Sequence, residues 1–125
     1  MHRTKKTHTV SLLGLGYVGL CTAVSFAARG FRTAAVDIDN ERVEQIQKGR
    51  PPFREPQLDR MLKAALRHRL LEATSDVSAA AKTDTTFITV GTPSRRDGSI
   101  DLTYVTNAAR DLGSALRDKD EYHLV

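Results

Sequence analysis

The spacing Gly14-x-Gly16-x-x-Gly19, within Val10-Ser-Leu-Leu-Gly-Leu-Gly-Tyr-Val-Gly-Leu20, constrains this chain more than any other stretch. It follows an apolar run and opens an apolar-rich helical stretch. An acidic residue, Asp37, stands 18 positions beyond Gly19. Each glycine has its own steric reason. Gly14 permits a tight strand-to-helix turn, Gly16 has no side chain to hold off a phosphate, and Gly19 lets the helix pack closely on the sheet. The unpaired N–H groups of the helix start then offer donors to anionic oxygens. By itself the spacing more often reports small-residue packing. The strand before it, the helix after it and the acid at that distance predict a dinucleotide across the amino end of a helix beginning near Tyr17.

The rest of the chain alternates in the same manner. Residues 9–15 read as a strand, nearly continuous in apolar character, as expected where helices cover both faces of a parallel sheet. A helix over 17–29 ends at Gly30, and a second strand runs over 31–37. Asn40 is placed to cap a helix reaching about Gln47, with Val43 and Ile46 facing the core. Residues 49–56 hold three prolines and a glycine and break the pattern. Helix resumes over 57–68 with Leu58, Met61, Leu62, Ala65 and Leu66 on one face, and Pro56 suits an early first-turn position. A short strand over 70–74, a short helix over 76–81 and a β-branched strand over 85–90 follow. Residues 91–98 form a loop, and a helix over 101–116 carries Leu102, Val105, Ala109, Leu112 and Leu116 at three- and four-residue steps. Tyr122-His-Leu-Val125 reads as a strand cut off as it begins.

Alternating strands and helices predict an α/β fold: a Rossmann-like, doubly wound parallel sheet in three layers, α/β/α, truncated after the start of its fifth strand. The predicted order is 3-2-1-4, with the fifth fragment beside the fourth. The switch point then falls between strands one and four, where the loops beginning at Gly14 and Gly91 face one another across the ligand crevice. Residues 1–8 read as a basic, flexible tail, and 9–125 as one incomplete dinucleotide-binding domain.

Composition narrows the partners. The net charge of +4 is dispersed, with no interleaving of basic and aromatic residues, so nucleic-acid binding is not expected. No apolar run approaches the roughly 20 residues needed to span a bilayer, and the basic start lacks the apolar core of a secretory signal. A cytoplasmic protein that does not enter membranes is the resulting expectation. The single cysteine, Cys21, excludes an internal disulfide and a cysteine-built metal site, and reads as filler on an apolar helix. The histidines at 2, 8, 68 and 123 have no ligand spacing, so no metal site is expected.

Within the crevice, the backbone of Gly14, Gly16, Tyr17, Val18 and Gly19 is assigned to the pyrophosphate. Asp37 rather than Asp39 is assigned to the adenosine ribose, because it directly closes the apolar strand. Its carboxylate accepts from the ribose hydroxyls and repels a 2′-phosphate, which favours NAD over NADP. Arg42 reads either as a frame for the adenosine or as an exposed arginine. Thr92 and Pro93 stand where the fourth strand meets the crevice, the hydroxyl able to bond a phosphate or ribose and the proline to stiffen the wall. Arg95 and Arg96 read as solvated.

Several separated motifs, in order, resemble the amino-terminal domain of the UDP-glucose/GDP-mannose dehydrogenase family. The glycine loop and Asp37-Ile-Asp39 carry the resemblance first. Gly49-Arg-Pro-Pro-Phe-Arg-Glu-Pro-Gln-Leu58, Leu71-Glu-Ala-Thr-Ser-Asp76, Phe87-Ile-Thr-Val-Gly-Thr-Pro93 and Gly98-Ser-Ile-Asp-Leu102 continue it, so that it spans residues 9–125. The resemblance implies an enzyme that oxidises the C6 alcohol of a nucleotide-linked hexose to the acid by two NAD-dependent hydride transfers, through a thiol-bound intermediate. It implies the same cofactor contacts at Gly14, Gly16, Tyr17, Val18, Gly19, Asp37, Arg42, Thr92 and Pro93, and gives Glu55-Pro56 a structural role. Gln57 departs from the family, which often has glycine there. The family's nucleophilic cysteine, its assisting lysine and asparagine, and most sugar-nucleotide contacts match nothing in these 125 residues. Cys21 sits behind the glycine loop and does not replace the nucleophile. The chain is therefore expected to be a fragment that binds NAD without turnover, from a whole protein that forms a homo-oligomer. Two other readings are the cofactor domain of a different NAD-dependent dehydrogenase and a non-catalytic NAD-binding or structural domain.

Overall fold

The computed structural model describes residues 7–125, and residues 1–6 of the expected tail, with His2, lie outside the described residues. His8 is held: its Nε2 lies 2.8 Å from the hydroxyl of Thr85. Four strands, β1 (Val10–Leu13), β2 (Thr33–Val36), β3 (Leu71–Thr74) and β4 (Thr85–Ile88), form one parallel sheet in the order β3-β2-β1-β4. Among the described residues, five helices connect and cover them: α1 (Tyr17–Ala28), α2 (Asn40–Gln47), α3 (Leu58–Arg67), α4 (Ser78–Ala81) and α5 (Thr103–Leu116). Leu124 bridges in parallel to Thr85, on the outer side of β4, where the fifth strand is predicted. Its carbonyl accepts from the Thr86 N–H at 2.8 Å and its N–H donates to Asp84 O at 3.1 Å.

Strand alternation sorts the core into two layers. Leu12, Ala35 and Ala73 face α1, α2 and α3, where they pack with Leu20, Ile46 and Leu62. Leu13 and Val36 face α4 and α5, where they meet Ala80 and Leu112. Leu12, Leu20, Ile46 and Leu62 are fully buried, each contributing about 1.5–3 kcal/mol relative to exposure. The second face is thinner in apolar side chains and is completed by hydroxyls. Ser11 Oγ lies 2.7 Å from Thr86 Oγ1, and Thr83 Oγ1 donates to Ala80 O at 2.7 Å. Thr86 Oγ1 also meets His123 Nε2 at 2.7 Å, while the Lys119 ammonium lies 2.9 Å from His123 Nδ1. An ammonium only donates, so Nδ1 accepts and the ring is neutral. Burial, then the Lys119 charge, holds His123 below the ordinary histidine range. Every buried side-chain polar atom among the described residues has a partner.

Local chemistry moves several predicted boundaries. Asp39, not Asn40, caps α2, its carboxylate accepting from the N–H groups of Glu41 and Arg42 at 3.1 and 3.2 Å. The α5 helix begins at Thr103 rather than 101, because Asp101 Oδ1 accepts from the Thr103 N–H and hydroxyl at 2.9 and 2.6 Å. Of its predicted stripe only Leu112 is buried. Ala108, not Ala109, joins Leu116 against the sheet, and Leu102 stays exposed. Pro56 precedes the α3 cap rather than entering the first turn, and the cap itself, Gln57, adopts a left-handed conformation with φ +67°.

Candidate functional site: the crevice between β1 and β4

The turn after β1 is wedged between the ends of β2 and β4. Gly14 has φ +101°, and a Cβ there would stand 2.8 Å from Thr89 O and from the Val90 backbone. Its N–H donates to Val36 O at 2.8 Å. A Cβ on Gly19 would overlap the Gly14 carbonyl and come within 2.7 Å of Thr89 Oγ1. Two of the three glycines are thus required by protein packing. Gly16 differs: a Cβ there meets nothing within 4 Å. Its missing side chain leaves open space on the outer side of the loop, which is the property a pyrophosphate needs for close approach.

Gly16 also begins α1 without any side-chain cap, and the first turn carries no acidic residue. The N–H groups of that turn have no partners within the helix, and the positive end of the helix dipole lies there. Tyr17 and Val18, which supply two of these groups, are exposed.

Asp37 anchors the loop from the side. It is 7% exposed, and its Oδ2 accepts from the Leu15 N–H at 2.7 Å and from Arg42 Nη1 at 3.4 Å. Its Oδ1 accepts from the Asp39 N–H at 2.9 Å. An ionised carboxylate offers about four acceptor positions, so Oδ1 retains capacity for one further donor. The structure therefore sets Gly14, Gly16, Tyr17, Val18 and Gly19 in one turn and helix start, tied through the Leu15 N–H to Asp37 and its partner Arg42.

Thr92 and Pro93 lie on the opposite wall, in an exposed stretch spanning residues 91–100. That stretch is a small hairpin: Ser94 bridges Ile100, Arg95 N–H donates to Ser99 O at 2.7 Å, and Pro93 O accepts from the Asp101 N–H at 2.8 Å. The link between the walls comes earlier, at Thr89, whose hydroxyl lies 2.8 Å from Gly14 O and 3.2 Å from Leu13 O. Sequence reasoning passes over Thr89, since a β-branched residue ending a strand needs no further explanation. It also underreads Glu55, whose Oε2 accepts from the Tyr17 hydroxyl at 2.9 Å.

Cys21 is half-buried beside this region. Burial, with a smaller contribution from the Glu55 charge, raises its thiol pKa above the ordinary range, the opposite of what a nucleophile needs. No helix among the described residues is long and apolar enough to cross a membrane.

The open face of Gly16, the uncapped α1 and the buried Asp37 fit a dinucleotide, and comparison with known proteins agrees. Residues 8–125 match the family model described as UDP-glucose/GDP-mannose dehydrogenase family, NAD binding domain. The chain is 38% identical over 117 residues to GDP-mannose 6-dehydrogenase of Pseudomonas aeruginosa, covering 93% of this chain and 27% of that protein. It is 41% identical over 116 residues to a UDP-glucose 6-dehydrogenase of Haloferax volcanii, again covering 93% and 27%. Among solved structures, the UDP-glucose dehydrogenase of Pyrobaculum islandicum superposes with a TM-score of 0.90 at 43% identity, over 98% of this chain and 29% of that one. The chain thus spans about 27% of the length of the curated relatives it matches. It belongs to the UDP-glucose/GDP-mannose dehydrogenase family, as that family's NAD-binding domain.

Proposed function

We propose that the chain holds the oxidant of a nucleotide-sugar 6-dehydrogenase, an enzyme that converts the C6 alcohol of UDP-glucose, GDP-mannose or a related sugar nucleotide to the uronic acid. The whole protein acts, in this reading, as a cytoplasmic homo-oligomer. The observation that carries the role of this chain is the contrast between Gly16, open on its outer side, and Gly14 and Gly19, closed by protein atoms. NAD, when bound, supplies the hydride acceptor. The backbone of Gly14, Gly16, Tyr17, Val18 and Gly19 cradles the pyrophosphate, with the N–H groups of the first α1 turn as donors. Asp37 accepts from the adenosine ribose, held in place by the Leu15 N–H and Arg42. Thr92 and Pro93 line the far side of the crevice.

Calorimetric titration of the chain with NAD and NADP tests the cofactor assignment. NAD binds, and NADP binds at least about tenfold more weakly, because a 2′-phosphate must approach the Asp37 carboxylate and each tenfold is worth about 1.4 kcal/mol. Equal or tighter NADP binding overturns the role given to Asp37. For the whole protein, NADH formation with UDP-glucose or GDP-mannose, at two NADH per uronic acid, is the expected result. Oxidation of an unlinked hydroxyacid with neither sugar nucleotide accepted overturns the substrate class.

A further inference from the structure

The Tyr17 side chain is 55% exposed at the first position of α1, yet it is restrained at both ends. Its ring lies against Phe53, centroids 5.2 Å apart at 40°, and its hydroxyl donates to Glu55 Oε2 at 2.9 Å. Both partners come from the segment between α2 and α3, in which Pro51, Pro52 and Pro56 each lock one backbone dihedral. The segment is fastened to the body of the domain at both ends. Phe53 packs against the larger core layer, Gly49 N–H donates to Ile46 O at 2.9 Å, and Leu58 N–H donates to Glu55 O at 3.1 Å. A stiff, anchored segment therefore grips the residue whose own backbone N–H stands among the unpartnered donors of the first turn.

We propose that Glu55 is a positioning residue for the dinucleotide: acting through the Tyr17 hydroxyl, and with Phe53 under the ring, it fixes the first turn of α1 in the orientation that receives the pyrophosphate. This rests on the cofactor reading above. The physical reason is preorganisation. The first turn packs on the sheet at Gly19 and Leu20, but its outer edge at Gly16 and Tyr17 has no side-chain cap of its own. Each restraint present before binding is one the ligand need not impose. The accepting carboxylate and its charge both raise the Tyr17 pKa, so the phenol is further from ionisation than an ordinary one. The hydroxyl is therefore a donor throughout the neutral range.

The test combines NAD titration with a spectroscopic reading of Tyr17 on the same chain. Three tyrosines and no tryptophan are present, so phenolate absorbance on alkaline titration is resolved, and Tyr17→Phe assigns its component. The expected result has four parts. Wild type shows one tyrosine titrating above the ordinary range, and Glu55→Ala brings that component down. Glu55→Ala and Tyr17→Phe each weaken NAD binding roughly three- to tenfold, the size of one lost hydrogen bond. The double variant is no weaker than the worse single, because both remove the same interaction. Glu55→Gln recovers most of the affinity, since its amide oxygen still accepts from the phenol. NAD binding by wild type with Glu55→Ala unchanged, or with additive losses in the double variant, overturns the positioning role alone. Failure of wild type to bind NAD overturns the cofactor reading, and this role with it.

Discussion

On the β1 side of the crevice, Gly14 and Leu15 are tied to the ends of the neighbouring strands: Gly14 to Val36, Leu15 to Asp37, and the Gly14 carbonyl to Thr89. On the β4 side, residues 91–100 are exposed throughout, and the bonds of the Ser94–Ile100 hairpin run to one another. One wall is part of the folded core and can present donors at fixed positions without reorganisation. The other is an exposed hairpin whose shape rests on its own local bonds. Donors to a pyrophosphate gain most from being fixed in advance, since any ordering left to the ligand subtracts from affinity. The division also implies that damage on the first side reaches stability and binding together, whereas damage on the second reaches binding alone.

Paired alanines give the sharpest break. Gly19→Ala drives a Cβ into the Gly14 carbonyl, a backbone atom with no room to retreat. It is expected to lower the unfolding free energy by at least about 3 kcal/mol and to abolish NAD binding. At Gly91 the same methyl meets nothing within 4 Å, and Gly91→Ala should stay within about 0.5 kcal/mol of wild type. Urea unfolding of the two variants measures both. A Gly91→Ala loss as large as that of Gly19→Ala would mean the β4 loop is core-like after all.

Asp37→Asn is next in size. The carboxylate satisfies the Leu15 and Asp39 N–H groups and pairs with Arg42 while almost wholly buried. An amide keeps one acceptor oxygen and turns an NH2 toward donors. The expected destabilisation is about 1.5–3 kcal/mol, the range for hydrogen bonds to charged groups, together with loss of preference for NAD over NADP. A variant that loses the preference at full stability would make Asp37 a ligand contact only and remove it from the architecture of the loop.

Two threonines three residues apart carry the comparison into the wall that joins them. Thr89→Val leaves the Gly14 carbonyl without its hydroxyl partner and should cost about 1 kcal/mol, with a several-fold loss of NAD affinity. Thr92→Val, on the exposed loop, should move affinity while leaving the unfolding midpoint within about 0.5 kcal/mol. Denaturant melts and calorimetry on the pair separate the two cases. Similar stability losses at both positions would erase the distinction between the walls.

What could be read from the residues follows from how local the physics is. The glycine turn, the acid closing β2, the parallel order β3-β2-β1-β4 and the place of residues 122–125 beside β4 all rest on periodicity and on short-range steric rules. The contacts that complete the site are long-range and leave no local mark. Thr89 reaches back 75 residues to Gly14, and Tyr17 reaches forward 38 to Glu55. Asp37 is legible as the acid that closes β2, but its hydrogen bond to the Leu15 N–H, which makes it part of the loop, is not. Smaller errors have the same origin. Asp39 and Asn40 are both good caps, and the extended backbone at Asp39, whose carboxylate meets the Glu41 and Arg42 N–H groups, decides between them. Ala108 and Ala109 are alike until α5 is docked, which turns the first toward the sheet and the second to water.

Gln57 offers a small expected effect, and the only gain. It leads into α3 at φ +67°, a conformation that costs a residue with a side chain about 1–2 kcal/mol and glycine almost nothing. Glycine returns about 0.5–1 kcal/mol of that through the greater freedom of the unfolded chain. Gln57→Gly should therefore raise stability by roughly 0.5–1 kcal/mol, visible as a higher urea midpoint at unchanged slope. Its bearing on the comparison lies in what should stay constant. Gln57 stands two residues beyond Glu55 and makes no contact in the grip on Tyr17, so relief of its strain should leave NAD affinity where it was. If affinity rises with stability, the segment between α2 and α3 is under tension in the native protein, and the donors of the glycine loop feel it through Glu55. If affinity falls, the strained turn is part of what holds Glu55 in reach of Tyr17. The boundary of the preorganised wall must then be drawn to include the start of α3.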